Sequence, residues 1–300
     1  MGRTQVFCNL IVAAFLIAFV ALSTGCSGER PVVIGSKNFT EQLILSEIVA
    51  QHLEHRMRIT VDRKFNLGGT LLAHQALVGG DIDLYPEYTG TALTSILKLP
   101  PSGDRQQAFQ QVKSEYMRRF QIVWLDPLGF NNTFAMVIRG EDARRGELRT
   151  LSDAAKHSPG WVLGVGYEFQ QRPDGLAGLV KTYGLRLKGS VRTMDLGLIY
   201  KALEQRQVDM VAGNATDGSL ATMDVTMLQD DKQYFPPYEA AIAVRTSVLE
   251  ARPALREALA ELSGKFTDAA MQKLNSQVDG RHRPVREVAQ EFLHQAGLSR

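Results

Sequence analysis

Cysteine is almost missing from this sequence, and that scarcity limits how the fold is stabilised. The 300 residues include two cysteines, Cys8 and Cys26. Cys8 lies inside an apolar N-terminal segment that we expect to be removed, which leaves one cysteine in the mature chain. A single cysteine forms no disulfide within the chain, so the mature fold must rest on its apolar core.

An excess of charge of either sign is also missing. Lysine and arginine together number 34, and aspartate and glutamate number 32, for a formal net charge of +2. Bulk charge therefore gives no indication of a nucleic-acid partner. Hydrophobic residues make up 44% and charged residues 22%, which is ordinary for a globular protein and excludes a disordered or multi-span membrane chain. The length is sufficient for two modest lobes or one large domain.

Motifs of common enzymes and metal sites are absent from the sequence. It contains no Gly-x-Ser-x-Gly nucleophile elbow, no phosphate-binding P-loop and no His-Glu-x-x-His zinc motif. Gly164 and Gly166 form a pair that lacks the third glycine of a dinucleotide loop. His52 and His55 share one predicted helix without an evident third ligand, and we interpret them as solvent-exposed side chains. The sequence therefore predicts neither an enzyme, nor a cofactor, nor a metal site.

The N-terminus has the pattern of a secretory signal peptide. Arg3 supplies a short positive region, and residues 6–22 are almost wholly apolar apart from Asn9. Small residues follow at 23–25, directly before Cys26. The same apolar stretch is long enough to span a bilayer as an uncleaved anchor, but small residues at the cleavage point favour a signal peptide over residues 1–25. We therefore expect the protein in the periplasm or at the outer face of the cytoplasmic membrane.

The end of this segment resembles a bacterial lipoprotein box, in which the cysteine is lipidated and becomes the new N-terminus. Residues 22–26 read Leu-Ser-Thr-Gly-Cys. The pattern prefers leucine three places before the cysteine, where this chain has Ser23, and Leu22 lies one place too early. The resemblance implies a lipidated Cys26 and a lipid-anchored linker over residues 26–30. Ordinary cleavage after Gly25 is the alternative.

Strand and helix patterns alternate along the mature region. Apolar residues between Phe39 and Leu53 recur mostly at three- and four-residue spacing, the period of a helix. Short apolar runs have the length of buried strands, and strands that alternate with helices indicate an α/β fold with parallel layers. In chain order the predicted segments are strand 31–36, helix 39–53, strand 58–65, helix 70–77, strand 82–85, strand 161–166, helix 196–203 and strand 208–211.

Two further strand-like segments bracket the middle of the chain. Residues 132–139 and 239–245 are both largely apolar and both end in arginine. Two extended crossings between lobes are what a two-lobed clamp needs as its hinge. We therefore predict one lobe over residues 31–131 with 241–300, a second lobe over 132–240, and the two crossing strands as the hinge.

Four motifs, in order across most of the mature chain, resemble those of one family. They are residues 35–41 (GSKNFTE), 83–91 (DLYPEYTGT), 126–132 (DPLGFNN) and 216–218 (TDG). Together they make the sequence similar to the quaternary-amine-binding proteins of ABC importers. That resemblance implies the type II periplasmic-binding fold, in which two α/β lobes close over a ligand. It also implies an ABC permease and an ATPase as partners, and no nucleic acid.

The resemblance implies a site for a small quaternary ammonium compound such as glycine betaine or choline. A trimethylammonium group has no N–H to donate, so aromatic ring faces must hold it by cation–π attraction. The carboxylate of a betaine needs arginine, lysine, hydroxyls or free backbone N–H groups. The implied aromatic wall consists of Tyr88, Phe134, Tyr200 and, as an addition, Phe169. The groups implied at the anionic end are Lys37, Thr91 and Arg172, with Asn132 as a polar neighbour.

Two positions depart from the usual cage of this family. Many relatives carry tyrosine at the position of Phe134, so one hydroxyl is missing here, and many carry tyrosine where this chain has Asn214. Asn214 provides no cation–π contact, but it forms hydrogen bonds. The departures leave room for a larger or more polar ligand, such as choline, carnitine or the betaine of a modified amino acid.

Each implied site residue also has a purely structural interpretation. Tyr88, Phe134 and Tyr200 fit core packing, and Arg172 fits a solvated loop. For the whole protein, the alternatives are a ligand-sensing module of the same fold and an importer for a polar solute other than a betaine. A DNA-binding regulator would need an added helix-turn-helix and no export signal, so the sequence disfavours it.

Overall fold

The computed structural model describes residues 30–158 and 160–299. The expected signal peptide over residues 1–25 and the expected lipidation at Cys26 lie outside these residues, as does most of the linker over 26–30. Within the described residues, no helix is both long enough and apolar enough to cross a bilayer. From Val32 onward the chain forms one unit that contains two β-sheets.

Strands and helices alternate through this unit. The strands are β1 (Val32–Gly35), β2 (Val61–Lys64), β3 (Leu84–Tyr88), β4 (Ile122–Trp124), β5 (Phe134–Arg139), β6 (Leu163–Val165), β7 (Arg192–Thr193), β8 (Met210–Asn214), β9 (Val225–Met227) and β10 (Ala240–Arg245). The helices are α1 (Thr40–Met57), α2 (Thr70–Gly79), α3 (Thr89–Thr91, continued by a π-helix over Ala92–Leu97), α4 (Arg105–Phe120), α5 (Gly140–Arg145), α6 (Leu151–His157), α7 (Tyr167–Gln171), α8 (Leu176–Tyr183), α9 (Leu196–Glu204), α10 (Ser219–Thr222), α11 (Thr246–Ala251), α12 (Ala254–Ala260), α13 (Asp268–Asp279) and α14 (Val285–Gln295).

The first sheet has the strand order β2-β1-β3-β10-β4. Strand β1 pairs parallel with β2 and β3, whereas β10 runs antiparallel to β3 and β4. Helix α1 packs against this sheet through fully buried residues such as Ile44, Ile48 and Leu53. The helix ends at Met57, and Arg58 follows in a left-handed backbone conformation (φ 56°) that does not continue the helix.

The second sheet has the strand order β7-β6-β8-β5-β9 and repeats the plan of the first. Strand β6 pairs parallel with β7 and β8, and β5 runs antiparallel to β8 and β9. In the first sheet the antiparallel strand is β10, which follows the strands of the second sheet in sequence. In the second sheet it is β5, which follows β1–β4 of the first sheet. The first lobe below means the first sheet with α1–α4 and α11–α14, and the second lobe means the second sheet with α5–α10.

The chain crosses between the lobes twice, just before β5 and just before β10. The crossing segments run side by side, because Asn131 and Glu239 form an isolated antiparallel bridge. Asn132 donates its backbone N–H to Tyr238 O (3.1 Å), and the backbone N–H of Tyr238 donates to Asn131 Oδ1 (2.6 Å). The segments that lead into these strands therefore connect the lobes, whereas β5 and β10 themselves each belong to one sheet.

Several expectations from the sequence need correction, since β2 begins at Val61 and not at 58, β6 at Leu163 and not at 161, and β8 at Met210 and not at 208. The third strand begins at Leu84, two residues later than Ile82, because the N–H of Ile82 still donates to Ala76 O of α2, although the N–H of Asp83 already donates to Val33 O of β1. His52 is fully buried, so its interpretation as a solvent-exposed side chain is wrong. Its Nε2 lies 2.8 Å from Ala258 O, since α12 packs on this face of α1, and burial lowers the pKa of His52.

Candidate functional site

A cavity of about 1030 Å³ lies between the two lobes. All nine residues that the sequence predicted for the site line it, and so do several that it missed. The predicted ones are Lys37, Tyr88, Thr91, Asn132, Phe134, Phe169, Arg172, Tyr200 and Asn214; the missed ones that matter most are Phe39, Glu41, Tyr167, Asp217, Tyr238 and Asn275.

The topology explains why these residues meet. The carboxyl ends of parallel strands lie at one edge of a sheet, where the connecting loops form a crevice. Lys37 follows β1, Tyr88 ends β3 and Asn214 ends β8. Phe134 begins the antiparallel strand β5, directly opposite Asn214 in the register of the two strands.

Lys37 forms a buried ion pair at the first-lobe side of the cavity. Its Nζ lies 2.5 Å from Glu87 Oε1 and donates to Thr70 Oγ1 at 3.1 Å. Lys37 is 3% exposed and Glu87 fully buried. The ammonium group also lies 5.1 Å from the centre of the Tyr88 ring. One ring of the predicted aromatic wall therefore already has a protein cation near it.

Arg172 forms a second buried pair, and this one reaches across the lobes. Its Nη2 lies 2.5 Å from Asp174 Oδ2, and its Nη1 donates to Thr91 Oγ1 in the first lobe at 2.9 Å. Its guanidinium carbon lies 5.0 Å from the Phe134 ring centre and 5.5 Å from that of Tyr238. Burial acts to raise the pKa of Asp174, but the hydrogen bond and charge of Arg172 outweigh it and hold that pKa below its usual value.

Glu41 is a buried carboxylate that sequence analysis missed. Tyr88 OH (2.7 Å) and Asn132 Nδ2 (2.8 Å) donate to its Oε1, while Thr216 Oγ1 and Asn275 Nδ2 (3.2 Å) donate to its Oε2. Burial raises its pKa, and these hydrogen bonds act in the opposite direction. Because Thr216 follows β8, Glu41 joins the first lobe to the second.

Asp217 is a second missed carboxylate, on the second-lobe side. Its Oδ2 accepts hydrogen bonds from Tyr200 OH (2.8 Å) and from the backbone N–H of Asn214 (2.7 Å). Its Oδ1 accepts a long hydrogen bond from Asn214 Nδ2 at 3.4 Å. Burial raises the pKa of Asp217 to about 6. The Thr-Asp-Gly motif was visible in the sequence, but nothing local showed that its aspartate lines the cavity.

Aromatic rings from both lobes surround the cavity. Phe39 stacks on Tyr88, with ring centres 6.3 Å apart and an interplanar angle of 26°. On the opposite side Phe134 meets Phe169 at 4.8 Å and Tyr238 at 5.5 Å, both edge to face. Phe39 lies within the first motif and Tyr238 directly before the second crossing, so their positions in the sequence were the signal that could have identified them.

Comparisons with known proteins agree with this geometry. The family of substrate binding domains of ABC-type glycine betaine transport systems matches residues 30–295. The crystal structure of a glycine betaine/carnitine/choline ABC transporter is 35% identical and covers 90% of this chain and 100% of its own, with a TM-score of 0.77. Lactococcal OpuAC, in a closed complex with glycine betaine, covers 90% of this chain and 98% of its own, with a TM-score of 0.62 at 12% identity. The predicted type II periplasmic-binding fold is therefore confirmed.

Three curated proteins are similar to this chain at the level of sequence. The ergothioneine transport permease/ergothioneine binding protein EgtU of Helicobacter pylori (strain G27) is 36% identical over 99% of this chain, which spans 54% of that relative's length. The carnitine transport binding protein OpuCC of Listeria monocytogenes is 35% identical over 95% of this chain and 92% of its own. A glycine-betaine-binding protein of Pseudomonas aeruginosa is 35% identical over 97% of this chain and 96% of its own. The chain thus belongs to the family of substrate-binding domains of ABC-type glycine betaine transport systems.

Proposed function

We propose that this protein captures a small quaternary ammonium compound between its two lobes, outside the cytoplasm, and delivers it to an ABC permease driven by an ATPase. The observation that carries the proposal is the cavity between the lobes, whose walls contain aromatic rings from both. A diffuse cation that cannot donate hydrogen bonds is held best by such rings once water is excluded.

The wall has enough rings for this task. Each cation–π contact contributes about 0.5 to 2 kcal/mol, more when the cation is desolvated. Phe39 and Tyr88 come from the first lobe, and Phe134, Phe169 and Tyr200 from the second. A cation held between the two sets is desolvated only when the cleft is shut, so binding and closure are coupled.

The names of the relatives support the same class of ligand. They refer to ergothioneine, carnitine and glycine betaine. These three compounds differ in size and polarity but share a trimethylammonium group. We propose that this shared group binds among the aromatic rings, and that the rest of the cavity determines which member of the class is preferred.

The proposal includes an attachment to the membrane through Cys26. The small residues before Cys26 support lipidation, which would keep the binding protein near its permease. Metabolic labelling with a lipid precursor tests this directly. We expect the label in the wild-type protein and none in Cys26→Ala, and equal labelling of both would contradict the anchor.

The ligand class is tested by calorimetry on the mature protein. We expect choline, carnitine or glycine betaine to bind, and ethanolamine to bind at least tenfold more weakly than choline. Ethanolamine keeps the hydroxyl and the charge of choline but is strongly hydrated through its N–H groups. Failure of every quaternary amine to bind, or equal binding of ethanolamine and choline, would contradict the proposed function.

A substitution in the aromatic wall, compared with a control substitution outside it, tests the role of the rings. Phe39→Leu keeps an apolar side chain but removes one aromatic face, and unlike Tyr88 the phenylalanine has no hydrogen bond to lose. We expect a loss of about threefold to thirtyfold in affinity for the tightest quaternary amine. The control is Phe292→Leu, an aromatic residue that stacks on Phe266 in the first-lobe core and does not line the cavity. Equal effects of both substitutions would show general destabilisation and no ring contact.

A further inference from the structure

Gln42 is a fully buried residue whose side-chain amide binds two segments that lead to the cavity wall. It lies in the first turn of α1, directly after Glu41, and does not itself line the cavity. Its Oε1 accepts the backbone N–H of Lys37 at 3.3 Å. Its Nε2 donates to Pro86 O at 2.9 Å and to Tyr88 OH at 3.1 Å. The side chain therefore joins the segment after β1 to the end of β3.

The amide fills a gap that opens between these two neighbouring strands. In the described residues β1 pairs with β3 at one position, Ile34 opposite Leu84. Beyond this position the chain stays with β2, because the backbone N–H of Ser36 donates to a carbonyl oxygen of that strand. Pro86 O, two residues further along β3 than Leu84, accepts its hydrogen bond from Gln42. The side-chain amide thus takes the place of a peptide group between the diverging strands.

The partners of this amide fix its orientation. A backbone N–H only donates and a carbonyl oxygen only accepts, so the amide oxygen must face Lys37 and the NH₂ group must face Pro86. The second N–H goes to the hydroxyl of Tyr88, which donates its own proton to Glu41 Oε1 at 2.7 Å. The Tyr88 oxygen is therefore held from two sides, which fixes the position of the ring.

These contacts set the spacing between a ring and a charge in the first-lobe side of the cavity. The Lys37 ammonium lies 5.1 Å from the centre of the Tyr88 ring and 2.5 Å from Glu87 Oε1. A site binds well only when the residues behind it keep its side chains within about 0.5 Å of the required geometry. Gln42 lies behind both groups, since its one amide holds the backbone of Lys37 and the hydroxyl of Tyr88.

We infer that Gln42 is a positioning residue for ligand binding, which holds Lys37 and Tyr88 in the arrangement that the ligand requires without contacting the ligand. The inference rests on the proposed function and extends it to a residue behind the cavity wall. Without the amide, the segment after β1 and the end of β3 are free to shift relative to each other. The affinity for the ligand should therefore fall although no contact with the ligand is removed.

Calorimetry on Gln42→Met tests this, because methionine is unbranched and of similar length but has no amide. The ligand is whichever of choline, carnitine and glycine betaine binds the wild type most tightly. We expect a loss of about tenfold or more in affinity. Gln42→Asn keeps an amide but is one methylene too short to reach both segments, so it should show a similar loss.

Ser46→Ala is the matched control. Ser46 is also fully buried, lies one turn further along α1, and donates its hydroxyl to Gly35 O of β1 at 2.8 Å. It does not line the cavity. Each substitution removes a buried hydrogen-bonding group, so Gln42→Met and Ser46→Ala should both lower the free energy of unfolding in urea. Only the Gln42 variants should also lose affinity, and Ser46→Ala should bind within about threefold of the wild type.

The outcomes distinguish this inference from the proposed function. Folded Gln42 variants that bind within about threefold of the wild type overturn the inference and leave the proposed function intact. An equal loss of affinity in Ser46→Ala overturns it as well, because the effect is then one of general destabilisation. A wild type that binds none of the three ligands overturns the proposed function, and this inference with it.

A double-substitution cycle assigns the effect to the Tyr88 hydroxyl. In Tyr88→Phe the hydroxyl that Gln42 binds is gone. Gln42→Met should therefore lower the affinity in that background by a factor about threefold smaller, or less, than in the wild type. A purely structural role gives the same factor in both backgrounds, and that result overturns the role of Gln42 in positioning Tyr88.

Discussion

Asn214 occupies a place in the wall that an aromatic ring could fill. It lies opposite Phe134 in the strand register, and its side-chain amide donates a long hydrogen bond of 3.4 Å to Asp217. Asn214→Tyr should add a ring face while keeping the backbone N–H that binds Asp217. We expect tetramethylammonium, which has no donor, to bind about threefold to thirtyfold more tightly. Calorimetry measures this, and Asn214→Leu is the control, because an equal gain from leucine would indicate apolar burial and no cation–π contact.

His74 makes the stability of the protein sensitive to acid. It is buried against the edges of Tyr116 (5.5 Å) and Phe120 (4.7 Å), and burial lowers its pKa from 6.5 to about 4. Below pH 6.5 the His74 imidazole binds a proton in the unfolded state but stays neutral in the native state. The free energy of unfolding therefore decreases as the pH falls from 6.5 toward 4. We expect His74 to account for about 2 to 3 kcal/mol of that loss by pH 4.5.

The measurement is urea unfolding at pH 7.5 and pH 4.5 for the wild type and for His74→Leu. The variant should lose less stability between the two pH values, because leucine takes no proton in either state. Other titrating groups, including His52, are common to both proteins and cancel in the difference. Equal acid sensitivity of the two proteins would contradict the assignment to His74.

Helix α2 begins against the second lobe, and its first residue forms a contact between the lobes that we call the latch. Glu168 of α7 accepts the backbone N–H of Thr70 at 2.5 Å and its hydroxyl at 3.0 Å. A carboxylate at a helix N-terminus is stabilised by the free N–H groups and the helix dipole. The contact joins the two lobes at the mouth of the cavity, so it should favour the closed arrangement and the binding of ligand.

Gly69, directly before α2, offers a test of that latch. Its backbone conformation suits any residue, but an added Cβ would lie 2.5 Å from Glu168 Oε1. We expect Gly69→Ala to weaken ligand binding about threefold to thirtyfold, with little change in the free energy of unfolding of the ligand-free protein. Gly79→Ala is the matched control at the other end of α2, where the nearest atom is 3.8 Å away. Calorimetry and urea unfolding separate the two effects, and similar affinities of both variants would reject the latch.

Several side-chain hydrogen bonds join the two lobes, and some of them lie at the cavity. Glu168 binds Thr70, Arg172 binds Thr91, and Thr216 binds Glu41. A ligand that contacts both lobes stabilises the closed state by its differential affinity for that state. We expect small-angle scattering to show a smaller radius of gyration at a saturating concentration of the tightest ligand than in its absence. An unchanged radius of gyration at saturation would contradict closure of the two lobes. Lysozyme measured with and without the same ligand is the control for any change that the ligand causes in the solvent scattering.

The order of local motifs along the chain was enough to determine the fold class and the family. The predicted type II fold and the family are confirmed, and the relatives are transport binding proteins and not enzymes, in agreement with the prediction. The nine predicted site residues also all line the cavity, although their contacts with a ligand stay a prediction. For Lys37, Tyr88, Thr91, Asn132, Phe134 and Asn214 this worked because each lies within or beside one of the four motifs, whereas Phe169, Arg172 and Tyr200 were placed by the family resemblance alone. The lobe boundaries at 131/132 and 240/241 stay a prediction as well.

Tertiary structure alone decided which polar groups are paired and which are free. Lys37 and Glu87 are 50 residues apart, Thr70 and Glu168 are 98 apart, and Glu41 and Thr216 are 175 apart. No local pattern encodes such pairs, because a hydrogen bond depends on positions to within a few tenths of an ångström in three dimensions. The sequence by itself therefore determined the family and placed nine residues at one cavity, whereas the binding of a cation among its aromatic rings stays a prediction. The folded arrangement decided that Lys37 and Arg172, two of the basic side chains that line this cavity, are already paired with Glu87 and Asp174.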